Sequence, residues 1–211
     1  MYTEVVAGDW EERWREFHRP LVIDDRLTVR PPWEPASSGL AVDVVIDPGR
    51  AFGTGAHATT RLCLEAMLDL APRGAFVDLG CGSGVLAVTA AKLGWDPVVA
   101  LDYDEAAIEA TVENAHRNGV TLDARRYDVR SDPVDVSVAP TVAANLLAPL
   151  LTVWAERLAS SAVRPERVIA SGLLRSEGDA IGREFARLGL FEAWRLTGGD
   201  WIALLLLSEL C

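Results

Sequence analysis

One stretch near the middle of the 211-residue chain constrains the fold most strongly, and it reads Phe76-Val77-Asp78-Leu79-Gly80-Cys81-Gly82-Ser83-Gly84-Val85-Leu86-Ala87. Its apolar start predicts a buried parallel strand, the alternate glycines break that strand, and the residues from 85 onward show the apolar spacing of a helix. A strand, a glycine turn and a helix N-terminus together present backbone N–H groups to a ligand. The stretch therefore predicts a ligand-binding turn at the carboxyl end of a buried strand.

The spacing of the glycines separates two classes of ligand. The dinucleotide fingerprint Gly-x-Gly-x-x-Gly needs its third glycine at the position that Val85 occupies. The turn reads instead Asp-x-Gly-x-Gly-x-Gly, formed by Asp78, Gly80, Gly82 and Gly84. This pattern favours an adenosine-type ligand other than NAD, and it leaves a dehydrogenase as a minor alternative.

Apolar strand patterns and helical patterns alternate along the rest of the chain. Strands are predicted at residues 75–79, 97–101, 122–127, 134–144, 167–171, 191–196 and 201–207. The short loop at Gly198-Gly199 makes the last two strands antiparallel. The predicted fold is α/β, a Rossmann-like, doubly wound and mostly parallel seven-stranded sheet with a C-terminal antiparallel hairpin. Residues 1–40, with a predicted helix over 9–18 and a small hairpin over 21–29, are expected to form an N-terminal extension of a domain spanning 41–211.

Composition and charge exclude several functional classes. A formal net charge of −11 argues against nucleic-acid binding, which depends on basic side chains. No apolar run is long enough for a membrane span, and no signal peptide is recognisable, so a cytoplasmic protein is expected. The three cysteines and three histidines are scattered, so neither a disulfide framework nor a metal site is expected.

Polar residues stand at the ends of four successive predicted strands. They are Asp78, Asp102, Asp128 and Asn145. Ligands of doubly wound sheets bind above the carboxyl ends of the strands, where these side chains would meet. Asp102 is suited to accept the two hydroxyls of an adenosine ribose, Asp128 to contact the base, and Asp78 to orient the turn or to bind the ligand amine through water. S-adenosylmethionine fits this set better than NAD.

A second glycine-rich stretch, Asp47-Pro48-Gly49-Arg50-Ala51-Phe52-Gly53-Thr54-Gly55-Ala56-His57-Ala58-Thr59-Thr60, precedes the central turn. Together with residues 78–84 it resembles the ribosomal protein L11 methyltransferase family, and the resemblance extends from about residue 10 to residue 207. The resemblance implies a class I methyltransferase in which Thr60, Gly80, Asp102 and Asn145 contact S-adenosylmethionine. Phe52, Gly53 and Thr54 would line the same pocket.

The sequence departs from the pattern of the family in three places. Members usually begin with an additional domain that recognises L11, whereas this chain is expected to start close to the linker helix. Ala58 replaces a proline, and the segment Asn145-Leu146-Leu147-Ala148-Pro149-Leu150 is one glycine shorter than usual. Lysine methyltransferases of the electron-transfer flavoprotein β subunit resemble the same catalytic domain and also lack the recognition domain.

The expected activity is S-adenosylmethionine-dependent N-methylation of protein amines, on lysine or an N-terminus, with ribosomal protein L11 as a candidate substrate. Asn145 would hold the acceptor, and His57 would help to orient it. The absence of Asn-Pro-Pro-Tyr argues against adenine or glutamine nitrogens as acceptors. Two alternatives stay open, a small-molecule methyltransferase and a cofactor-binding module without activity.

Overall fold

The structure is a computed structural model, and it describes residues 19–36, 39, 41–48 and 57–209. The strands are β1 (Leu21–Ile23), β2 (Leu27–Arg30), β3 (Val42–Val45), β4 (Phe76–Leu79), β5 (Val98–Asp102), β6 (Asp123–Arg126), β7 (Thr141–Asn145), β8 (Arg167–Leu174), β9 (Leu190–Gly198) and β10 (Trp201–Ser208). The helices are α1 (Ala58–Leu68), α2 (Val85–Leu93), α3 (Glu105–Arg117), α4 (Ala148–Ala159) and α5 (Gly178–Ala186). A short 3₁₀ helix covers Val134–Ser137.

The main sheet has seven strands in the order β6-β5-β4-β7-β8-β10-β9. Strands β4 to β8 pair in parallel, whereas β10 is antiparallel to both β8 and β9. The predicted fold class is therefore confirmed. The chain runs outward from β4 through β5 to β6 and then returns to β7 on the other side of β4. Ligands bind at such a reversal of strand order, so the fold points to the carboxyl ends of β4 and β7.

Both faces of the sheet are buried because alternate side chains enter two separate cores. Phe76, Ala100 and Ile169 pack with α1 and α2 on one face. Val77, Leu101 and Val168 pack with α4 and α5 on the other. This alternation explains why the central strands read as continuous apolar runs. Among the described residues, no helix is long and apolar enough to cross a membrane.

The predicted strand over residues 134–144 is wrong in its first half. Val134–Ser137 forms a 3₁₀ helix, and strand β7 begins only at Thr141. The Ser137 hydroxyl donates to the Val134 carbonyl at 2.7 Å and accepts from the Trp154 indole at 2.9 Å, which holds this turn against α4. The predicted strand at 167–171 in turn continues to Leu174.

The first three strands form a separate small sheet. Strands β1 and β2 are antiparallel, which confirms the predicted hairpin, and strands β2 and β3 are parallel. Ile23, Leu27 and Val44 are buried in the core that contains α1 and α2. The helix predicted over residues 9–18 lies outside the described residues. The domain boundary at residue 40 stays a prediction, and the β2–β3 ladder crosses it.

Candidate functional site

A cleft of about 190 Å³ lies at the carboxyl ends of β4, β5, β6 and β7. Its lining residues come from the ends of these four strands and the segments after them. They are Leu79, Gly80, Gly82, Leu101, Asp102, Tyr103, Tyr127, Asp128, Val129, Arg130, Leu146 and Leu150. Four of the residues predicted from the sequence, Gly80, Gly82, Asp102 and Asp128, are thus brought to one cleft.

Part of the glycine turn lines this cleft, through Gly80 and Gly82, whereas Gly84 does not. Gly80, Gly82 and Gly84 all have positive φ angles, of 81°, 54° and 78°, a conformation that residues with a side chain rarely adopt. The Gly80 N–H donates to the Leu101 carbonyl at 2.8 Å, which ties the turn to the end of β5. A Cβ atom on Gly80 would lie 2.4 Å from Leu146 Cδ2. The turn therefore needs glycine both for its backbone angles and for its approach to the β7–α4 segment.

Asp102 is fixed at the tip of β5 by two backbone groups. Its Oδ2 accepts from the Gly82 N–H at 2.9 Å, and its Oδ1 accepts from the Asp104 N–H at 3.0 Å. Each carboxylate oxygen has a second lone pair, so both can accept a further hydrogen bond from a ligand. The carboxylate therefore links the glycine turn to the start of α3 and faces the cleft with oxygen acceptors only.

Asp78 lies beneath the turn and does not line the cleft. The side chain is fully buried, and Oδ2 accepts from the Ala87 N–H in α2 at 3.0 Å. Burial raises the pKa of this carboxyl to about 7, the Ala87 hydrogen bond opposes the rise, and the charge of Asp102 adds to it. Of the two roles expected from the sequence, this position fits orientation of the turn better than contact with a ligand.

The strand ends of β5 and β6 form the outer wall. Asp128 Oδ1 accepts from the Arg130 N–H at 2.9 Å, which keeps that carboxylate at the cleft. Tyr103 is 59% exposed and lines the same cleft. The Arg126 guanidinium lies 5.0 Å from the centre of the Tyr103 ring, and its Nε donates to the Tyr103 carbonyl at 3.1 Å. The sequence analysis did not predict Tyr103 as a site residue. Its position directly after Asp102, at the end of a predicted strand, could have indicated it.

Asn145 and Thr60 form a pair next to the cleft residue Leu146, and His57 begins the helix that carries Thr60. Asn145 ends β7, and its Nδ2 donates to the Thr60 hydroxyl at 3.4 Å. His57 is the N-cap of α1, where its Nδ1 accepts from the Thr59 N–H. The His57 ring meets the Trp201 ring edge to face, with centroids 5.1 Å apart. Phe52, Gly53 and Thr54, also predicted for the pocket, lie outside the described residues.

Gly172 explains how the segment after β7 is held. Within β8 its φ is +82°, and a Cβ atom there would lie 2.4 Å from the Leu146 carbonyl oxygen. The Leu146 N–H donates to the Ser171 carbonyl at 3.1 Å. This close packing places Leu146 between Gly80 and Gly172, so one residue contacts the glycine turn and the end of β8. No spacing pattern in the sequence points to this contact.

Comparison with known proteins identifies the same family over nearly the whole chain. The family model described as Ribosomal protein L11 methyltransferase (PrmA) matches residues 1–208. A ribosomal protein L11 methyltransferase of Shewanella halifaxensis is 41% identical over 187 residues, which cover 87% of this chain and 63% of that protein. The protein of the same name from Shewanella piezotolerans is 39% identical over 203 residues, covering 92% and 69% respectively.

A solved structure agrees with these relatives. The crystal structure of ribosomal protein L11 methylase from Lactobacillus delbrueckii subsp. bulgaricus superimposes with a TM-score of 0.78 and 28% identity. The match covers 91% of this chain and all of that chain. The chain spans slightly less than two thirds of the length of the Shewanella halifaxensis relative, because it covers 63% of it.

Proposed function

This chain belongs to the ribosomal protein L11 methyltransferase family, and we propose that it is an S-adenosylmethionine-dependent N-methyltransferase acting on protein amines. Its relatives are named for ribosomal protein L11, which makes L11 the first acceptor to test. The proposed acceptor groups are lysine side chains or the N-terminal amine. We also propose a cytoplasmic location, because the acceptor would be a ribosomal protein.

The observation that carries the proposal is the position of Asp102. Its two oxygens are held by the Gly82 and Asp104 N–H groups at the rim of the cleft. A ribose presents two neighbouring hydroxyl donors, and a carboxylate fixed in this way can accept from both. The ring of Tyr103 next to it offers a flat surface for a base, and Asp128 offers an acceptor for the amino group of adenine. The residues present therefore fit the adenosine part of S-adenosylmethionine.

The acceptor would approach the site along the segment that comes after β7. When bound, S-adenosylmethionine would supply a methyl group on a positively charged sulfur, ready for in-line displacement. The task of the protein is then to position a neutral amine. The Asn145 amide, oriented by its hydrogen bond to Thr60, would accept from the amine through Oδ1. His57 would help to orient the acceptor. No strong base is needed, because solvent can take the proton of the amine before transfer.

The test is to incubate the protein with radiolabelled S-adenosylmethionine and either purified L11 or a cell lysate. We expect label in a protein band, and mass spectrometry would locate the methylated amine. The matched control is Asp102→Asn, which keeps the size of the side chain and replaces one acceptor oxygen by a donor. Label in L11 would establish L11 as the acceptor, and label in another protein would replace it.

Three other outcomes would each select a different function. Label confined to the low-mass fraction would indicate a small-molecule methyltransferase. No label with intact binding of S-adenosylhomocysteine would indicate a cofactor-binding module. A ligand that binds only the native state raises the midpoint of thermal unfolding, so a shift with NAD and none with S-adenosylhomocysteine would indicate a dehydrogenase.

A further inference from the structure

Asn114 in α3 bonds to two different parts of the chain through one buried amide. The residue is 1% exposed. Its Nδ2 donates to the Ser83 carbonyl within the glycine turn at 2.9 Å. Its Oδ1 accepts from the Asp47 N–H, just after β3, at 3.0 Å. Both ends of the amide are therefore used, each on a different segment.

The neighbouring side chains on the same face of α3 each hold only one of these parts. Residues three and four positions apart share a helix face. Thr111 donates to the Gly82 carbonyl at 3.2 Å and so contacts the turn. Asn118 accepts from the Val45 N–H at 2.9 Å and donates to the Val45 carbonyl at 2.7 Å, and so contacts the small sheet. Asn114 lies between them and contacts both.

The bond to Ser83 matters because it holds the glycine turn from the side of α3. Gly82 and Gly84 on either side of Ser83 have no side chains, and both have left-handed backbone angles. A Cβ atom on Gly84 would lie 2.8 Å from Thr111, so the turn lies directly against α3. A change in the position of Ser83 would also move Gly82, whose N–H holds Asp102.

The bond to Asp47 matters because of the position of Asp47 in the chain. In the sequence this residue lies two positions before residues 49–56, which include the predicted cofactor contacts Phe52–Thr54. The Arg117 guanidinium also pairs with the Asp47 carboxylate at 3.1 Å, but both side chains are more than one third exposed, so this pair adds little. The buried amide of Asn114 is therefore the firmer of these two bonds from α3 to Asp47.

We infer that Asn114 is a positioning residue for cofactor binding, which fixes the glycine turn and the Asp47 segment at a set distance from each other. The inference rests on the proposed function, because the cofactor is the ligand whose affinity it concerns. Replacing the side chain removes the partner of a carbonyl and of an N–H at a buried position, which is more costly than the loss of an exposed hydrogen bond. The cost appears in the cofactor affinity, because the freed Ser83 carbonyl belongs to the glycine turn, whose Gly80 and Gly82 line the cleft.

The test compares Asn114→Ala with Asn118→Ala in the full chain, using calorimetric titration with S-adenosylhomocysteine. Both variants remove a polar side chain from the same helix face, and only the first frees the glycine turn. We expect the dissociation constant to rise about tenfold for Asn114→Ala and no more than about threefold for Asn118→Ala. The KM for S-adenosylmethionine should rise by the same factor as the dissociation constant, while kcat at saturating cofactor changes less than about twofold.

Equal losses in the two variants, or an unchanged affinity in Asn114→Ala, would overturn the inference. If Asn114→Ala does not fold, Asn114→Asp takes its place. Asn114→Asp keeps the acceptor for Asp47 and loses the donor to Ser83, so wild-type affinity there would also overturn it. Failure of the wild-type protein to bind S-adenosylhomocysteine would instead refute the proposed function, and the inference with it.

Discussion

The two halves of the candidate site are held together in different ways. The half proposed to bind the cofactor, called the cofactor half, consists of Gly80–Gly84, Asp102, Tyr103 and Asp128. The half proposed to hold the acceptor, called the acceptor half, consists of Thr60, Asn145–Leu150 and Gly172, and its members Thr60 and Asn145 are also predicted to contact the cofactor. In the first half, carboxylates bond to backbone N–H groups at 2.9–3.0 Å. In the second half, Leu146 packs closely against Gly172, and the side chains of Asn145 and Thr60 meet at 3.4 Å.

The difference implies that the two halves tolerate different changes. Hydrogen bonds from backbone donors to a charged acceptor fix both partners and are stronger than neutral bonds. A long hydrogen bond between two side chains fixes them less, so the acceptor half depends on packing. Loss of a carboxylate should therefore damage mainly cofactor binding, whereas loss of close packing should damage methyl transfer more than cofactor affinity.

Asp102→Ala tests the cofactor half and should have the largest effect. It removes the proposed acceptor for the ribose hydroxyls and the hydrogen bond to Gly82, so the affinity for S-adenosylhomocysteine should fall about a hundredfold. Isothermal titration calorimetry measures it. The matched control is Asp104→Ala, because the Asp104 side chain caps α3 by accepting from the Ala106 N–H at 3.0 Å. An equal loss in Asp104→Ala would attribute the effect to the start of the helix.

Asp78→Asn tests whether the buried carboxyl supports the cofactor half in its protonated form. Its pKa is raised to about 7, so between about pH 4 and pH 7 the native state holds a proton that the unfolded state releases. Stability therefore falls as the pH rises through this window. Asparagine cannot ionise, so the difference in the free energy of unfolding between pH 5 and pH 8 should shrink by about 3 kcal/mol.

Chemical denaturation at several pH values measures this difference. Asp123→Asn is the control with the opposite sign, because the hydrogen bond from Arg125 lowers the pKa of the exposed Asp123 carboxyl. Its contribution is present above the ordinary pKa of an aspartate and is lost only at acid pH, so Asp123→Asn should change the curve only there. Parallel curves for Asp78→Asn and the wild type from pH 5 to pH 8 would show that Asp78 holds no proton in this range.

Gly172→Ala tests the acceptor half. The new Cβ atom would lie 2.4 Å from the Leu146 carbonyl oxygen, so the segment after β7 must shift. We expect kcat to fall about tenfold, and the dissociation constant for S-adenosylhomocysteine to rise by a smaller factor of about threefold, because Leu146 also lines the cleft. Gly189→Ala is the matched control, since φ is +81° there and nothing lies within 4 Å of the new atom. If both variants lose activity equally, backbone strain is the cause and the Leu146 contact is not.

The fold was predictable because its signals are local. The apolar run before Asp78, the alternate glycines and the short Gly198-Gly199 loop each determine the backbone over a few residues. The 3₁₀ helix at Val134–Ser137 was not predictable in this way. It is held by the indole of Trp154, a residue from a later helix, so no local pattern indicates it.

The site was likewise predictable only where a local sequence pattern marks a residue. Asp102 and Asp128 were identified because a strand end is visible in the sequence, and both line the cleft. Gly172 and Asn114 were missed because their roles depend on contacts with distant residues, Leu146 in one case and Asp47 with Ser83 in the other. Gly172 holds the acceptor half and Asn114 holds the glycine turn, so each half depends in part on contacts that no local pattern indicates.

Arg126→Ala should have the smallest effect, because it removes support for the cofactor half from the solvent side. The guanidinium lies over Tyr103, and an exposed cation–π contact contributes about 0.5–1 kcal/mol. The affinity for S-adenosylhomocysteine should therefore fall about threefold, with kcat unchanged. Arg125→Ala is the control, because Arg125 pairs with Asp123 through Nε at 2.8 Å. If Arg125→Ala weakens binding as much, the effect comes from overall charge, and Tyr103 does not depend on Arg126 for its position.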